Sequence, residues 1–87
     1  MDEITITNVL KINNETYQVA FSSNFTLNTL KVETSANGNN WNTPIALSGT
    51  TSPKTFNTNL KNFFVRIHNE ETLAPRKHNN KFNLKFN

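Results

Sequence analysis

The chain has no cysteine, only two glycines and three prolines, a single aspartate at Asp2, and no long apolar run. Without thiols, neither a disulfide framework nor a thiolate metal site can hold so small a fold, so sheet packing has to carry its stability. Calcium loops of β proteins draw on several carboxylates, and one aspartate near the first residue does not supply them; no metal or cofactor is expected. Gly38 and Gly49 lie too far apart for a phosphate-cradling loop and read as turn residues. No segment reaches the length of a membrane-crossing helix. Met1-Asp2-Glu3-Ile4-Thr5 lacks the basic and apolar regions of a secretory leader, so if Met1 is the natural start the expectation is a protein made and kept inside a cell, and if Met1 is not native that expectation lapses.

The 87 residues suffice for one thin core, and a single domain over 1–87 is expected. Apolar residues are only 34% of the chain, yet seven Phe, one Trp and one Tyr are spread through it as core anchors. Most of the rest is Asn and Thr, which disfavour helix interiors and suit turns and strand faces. Net charge is +3, with Asp2, Glu3, Glu15 and Glu33 early and Arg66, Arg76, Lys77, Lys81 and Lys85 late. That excess permits nucleic-acid contact without indicating it, and interleaved exposed aromatics are missing from the basic stretch; nucleic acid is not the expected partner.

The dominant period is two, in short stretches separated by Asn, Gly, Ser and Pro, which predicts half-buried antiparallel strands. Ile4, Ile6, Leu10 and Ile12 form the inward set of a first strand, bulged near Asn8-Val9 and closed by Asn13-Asn14. Tyr17, Val19 and Phe21 alternate in a second. Phe25 and Leu27 plug the end of the fold, and Leu30 and Val32 point inward between Lys31 and Glu33. Asn37-Gly38 predicts a type I′ hairpin tip, with Trp41 on the return strand and Ile45 and Leu47 continuing it. Phe56 and Leu60 straddle a polar strand. Phe63, Val65 and Ile67 then alternate with Phe64, Arg66 and His68 in what reads as a central strand. Residues 69–80 read as a long loop, and Phe82, Leu84 and Phe86 as a last strand. About seven strands with a turn signal every ten residues or so predict an all-β antiparallel sandwich.

Candidate chemistry is sparse. Nucleophilic catalysis needs a hydroxyl or thiol beside an oriented base, and His68 and His78 sit in no such pattern; both read as surface residues, and no enzymatic activity is expected. The adjacent carboxylates Glu70-Glu71 read as solvated charge. Strand parity puts Phe64 outside with Arg66 and His68, and an exposed Phe on a central strand points to an interface, although curvature would bury it instead. Phe64, Arg66 and His68, with Arg76 and Lys77 of the basic loop, form the candidate protein interface. Trp41 and Tyr17 form an alternative candidate platform for a sugar ring, with packing behind the hairpin as the plainer role for Trp41.

Leu30-Lys31-Val32-Glu33-Thr34-Ser35 with Asn37-Gly38 and Trp41 resembles the C strand and following hairpin of fibronectin type III and related immunoglobulin-like domains of bacteria and phages. Phe63-Phe64-Val65-Arg66-Ile67 is similar to their F strand, while Tyr17, Val19 and Phe21 stand where a core Trp is usual in the second strand. The resemblance implies a binding role as spacer, adhesion module or virion decoration. The expectation drawn from it is a phage capsid auxiliary protein, located in the virion, that binds the major capsid protein and stabilises the shell, with self-association left open and no membrane partner. The alternative is an extracellular adhesion or carbohydrate-binding module cut from a larger secreted chain.

Overall fold

Tyr17, Val19 and Phe21 are all buried while Thr16, Gln18, Ala20 and Ser22 between them are not, the half-buried alternation that a strand with one wet face requires. In a computed structural model, which describes residues 3–70 and the backbone of 82–85, that strand belongs to an all-β fold with two antiparallel sheets. The elements are β1 (Ile4–Lys11), β2 (Thr16–Ser23), β3 (Thr29–Ser35), β4 (Ile45–Ala46), β5 (Lys54–Asn57), β6 (Asn62–Glu70) and β7 (Phe82–Lys85). One sheet runs β1-β2-β5 and the other β4-β3-β6-β7. Six strands are of ordinary length where about seven were expected. The remaining one, β4, is a two-residue bridge on the edge of the second sheet. Pro44, which has no N–H to donate, precedes it, and Ser48-Gly49 follows.

The inner faces share one hydrophobic cluster, an arrangement compatible with a β-sandwich. Ile4, Val9, Tyr17, Val19, Phe21 and Phe56 come from the first sheet, and Leu30, Val32, Phe63, Val65 and Ile67 from the second. Three rings join the layers: Tyr17 stacks on Phe56 at 5.9 Å, and Phe63 meets Tyr17 edge-on at 5.0 Å. The Tyr17 hydroxyl donates to the Leu60 carbonyl at 3.3 Å, so the one polar atom of this ring is satisfied at the core's margin. Phe25 and Leu27 pack partly buried against the cluster, as expected of plugs.

Four expectations about placement change. In β1 the register shifts between Ile6 and Asn8, and the extra residue reverses parity: Val9 turns inward, and Leu10 and Ile12, expected inside, are 49% and 53% exposed. Asn37-Gly38 does not form a type I′ turn, because Gly38 has φ +80° while no non-glycine residue has positive φ. The β3–β4 connection is instead a longer loop, 36–44, and Trp41 lies within it rather than on a return strand. Strand β6 runs on to Glu70, taking in Asn69 and Glu70, which had read as loop. Buried Asn69 explains the extension: its Oδ1 accepts from the backbone N–H of Asn28 at 2.6 Å and of Thr29 at 3.1 Å, tying the end of β6 to the start of β3.

Candidate functional site

The outer face of the four-stranded sheet gathers the charged and aromatic side chains. Pairing of β3 with β6 sets Lys31 opposite His68, Glu33 opposite Arg66 and Ser35 opposite Phe64, all on the side turned away from Val32, Val65 and Ile67. Cross-strand neighbours on one face stand close enough for side chains to meet. Arg66 Nε donates to Glu33 Oε1 at 2.9 Å, and His68 Nδ1 lies 3.7 Å from the same oxygen, too far for a hydrogen bond. Lys31 Nζ pairs with Glu70 Oε1 at 3.2 Å nearer the surface. Among the described side chains of this face, the cations Lys31 and Arg66 are each matched by a carboxylate, Glu70 and Glu33.

A loop covers part of this face. Ser35 Oγ accepts from the backbone N–H of Asn37 at 3.2 Å and of Gly38 at 2.8 Å, while its own proton goes to Asn37 Oδ1. Asn37 Oδ1 also accepts from Asn39 N and Asn40 N, each at 2.8 Å. Asn42 closes the excursion against Thr34, by its backbone N–H to the carbonyl at 2.9 Å and by its amide to Oγ1 at 3.2 Å. This brings Trp41 to Arg66, whose guanidinium carbon lies 3.9 Å from the ring centroid, within cation–π range. Gly38 sits over Phe64: an added Cβ would come within 3.3 Å of that ring.

The expected site residues fare unequally. Phe64 faces outward as parity requires, but it is half-buried beneath Gly38 and is not an open contact residue. Arg66 is partly exposed and held from two sides. His68, expected at the surface, is only 4% exposed, where it faces Lys31 across the β3–β6 ladder and lies against Glu33. Tyr17 is fully buried against Phe56 and Phe63, so it has no face to offer a sugar, and the Tyr17–Trp41 platform does not form. Arg76, Lys77, His78 and Glu71 lie outside the described residues. Glu33, Ser35 and Asn37, which organise the site, had not been singled out as site residues; their pairing and loop geometry depend on which strands become neighbours.

The Ser35 hydroxyl is buried and engaged by three partners, which leaves it no role as a nucleophile. No group of three metal-ligating side chains occurs among the described residues. Elsewhere, an open cleft of about 550 Å³ between the β4 and β5 edges is lined by Ala46, Leu47, Ser48, Pro53, Lys54 and Thr55. It carries a single titratable group, Lys54. No protein-family model, no curated protein and no solved structure matches the chain, so its class, an all-β protein of two antiparallel sheets around one core, rests on the geometry above.

Proposed function

We propose that the protein is a non-catalytic binding module that meets another protein through the outer face of its four-stranded sheet. The observation that carries this reading is the Trp41–Arg66–Glu33 stack. Trp and Arg are the side chains that most often anchor protein interfaces, and here both are immobilised before any partner arrives, which lowers the ordering cost of association. The two matched ion pairs among its described side chains suit a mixed protein surface better than a polyanion.

The strand order supports an immunoglobulin-like assignment of the fibronectin type III kind. In chain order the strands form A-B-E and C′-C-F-G sheets, the immunoglobulin arrangement with its fourth strand beside C rather than beside E. On that reading, and on the resemblance of 30–35 and 63–67 to such domains, the partner is the major capsid protein of a phage and the module is a capsid auxiliary protein. It favours the assembled shell by binding that state alone. A sugar-binding role is weaker, since one of its two rings is in the core and the other already carries a guanidinium.

Quantitative mass spectrometry of purified particles from the source tests the assembly. A ratio to the shell protein near stoichiometric supports it, and absence from particles refutes it. Trp41→Ala and Arg66→Ala are expected to release the protein from particles at lower salt than the unaltered chain. Unchanged retention of both would remove this face from the contact.

A further inference from the structure

Asn-Gly is the peptide sequence most open to intramolecular attack on an asparagine side chain, because glycine has no Cβ to shield its nitrogen or restrict its backbone. In that reaction the Gly38 nitrogen gives up its proton to base and bonds to Asn37 Cγ. The bond from Cγ to the side-chain nitrogen breaks, and ammonia leaves. The five-membered succinimide then takes up water, opening at Cγ to aspartate or at the backbone carbonyl to isoaspartate. The net change is water consumed and ammonia released, with no other reactant. Asn37 is exposed, so water and base reach its side chain.

The loop nevertheless withholds both reacting groups. Gly38 is buried, and its N–H, the nucleophile after deprotonation, points at the buried Ser35 Oγ at 2.8 Å. The Asn37 side-chain Oδ1 accepts from Asn39 N, Asn40 N and the Ser35 hydroxyl, which resists the rotation that would bring Cγ onto the Gly38 nitrogen. Positive φ at Gly38 and the Phe64 ring beneath it keep the peptide in place. We infer that Asn37-Gly38 is a latent deamidation site held shut by Ser35, and that it reacts only when the 35–42 loop opens.

The two products have opposite consequences. Aspartate at 37 keeps the backbone and offers a charged acceptor to the N–H groups of Asn39 and Asn40, so the loop persists. Isoaspartate inserts a methylene into the main chain, which lifts Gly38 off Phe64 and displaces Trp41 from Arg66. The site is thus a slow, irreversible switch on the Trp41 face, whatever that face binds.

The test follows the mass gain of the 37–38 peptide over time in mildly alkaline buffer, for the whole chain native and unfolded in guanidinium chloride. Native protein is expected to react at least about tenfold more slowly, the protection that local opening equilibria confer. Equal rates would overturn the inference. Ser35→Ala, verified as folded by circular dichroism, is expected to react at a rate between the two; a folded variant reacting at the native rate would overturn the role of Ser35. Should that variant not fold, hydrogen exchange at the Gly38 amide of the unaltered chain decides. Slow exchange supports the shield, and exchange as fast as at the exposed turn residue Asn14 refutes it.

Discussion

The outer faces of the two sheets follow the same strand alternation and end in different conditions. On the three-stranded sheet the outward residues include Thr5, Asn8, Thr16, Gln18, Thr55 and Asn57, all uncharged, and apart from half-exposed Leu10 the face is a plain solvated surface. On the four-stranded sheet the outward residues include Lys31, Glu33, Ser35, Arg66 and His68, and three of these are buried although they point away from the core. Parity tells which way a side chain points. Whether it meets water depends on its neighbours, and on the second sheet Gly38 lies over Phe64, Trp41 over Arg66, and Glu33 beside His68.

The comparison is broken most severely by removing the carboxylate at the centre of the charged face. Glu33→Ala leaves the Arg66 guanidinium without its acceptor on a covered surface and is expected to cost about 2–3 kcal/mol, less than a fully buried pair because Arg66 retains some solvent. Chemical denaturation reads the loss; a change below about 0.5 kcal/mol would show that water already does the work of Glu33. Gly38→Ala forces a side chain into positive φ and against Phe64, with an expected cost of about 1–2 kcal/mol by the same measurement. Its near-edge fluorescence signature is a shift of Trp41 emission as the loop moves off Arg66.

Smaller effects sharpen the contrast. Lys31→Ala removes the exposed pair with Glu70 and is expected to cost at most about 0.5 kcal/mol, vanishing in high salt, whereas the Glu33 effect persists there. On the opposite face Gln18→Lys is expected to change stability by less than about 0.5 kcal/mol. If Gln18→Lys matched Glu33→Ala, the two faces would not differ as their burial indicates.

Much of the fold was legible because β-structure writes itself at period two. Tyr17, Val19 and Phe21, Leu30 and Val32, and Phe63, Val65 and Ile67 all declare their inward set by alternation alone, and all eight are in the core. In β1 a bulge was legible near Asn8-Val9 and the register does shift there, between Ile6 and Asn8, but carrying the same alternation through it misplaced Leu10 and Ile12, because one inserted residue flips every later side chain. Asn37-Gly38 was legible as a turn but not as this turn. Ser35, two residues upstream, offers a hydroxyl that competes with a tight hairpin for the same N–H groups.

The candidate site was half legible. Arg66 was singled out by parity, and Trp41 by residue type; that the two touch is a consequence of loop closure between Asn42 and Thr34. Glu33 drew no notice because a lone glutamate on a wet face is ordinary, and its partner lies 33 positions away.

The amino-acid sequence by itself determined that the chain is all-β, where most strands begin and which side chains fill the core, since these follow from local alternation and from turn chemistry within a few residues. The tertiary structure alone decided that Glu33 meets Arg66, that His68 and Tyr17 are sheltered, and that Gly38 caps Phe64. Those contacts join residues distant along the chain, and strand pairing and loop closure, which no short window of sequence contains, bring them together.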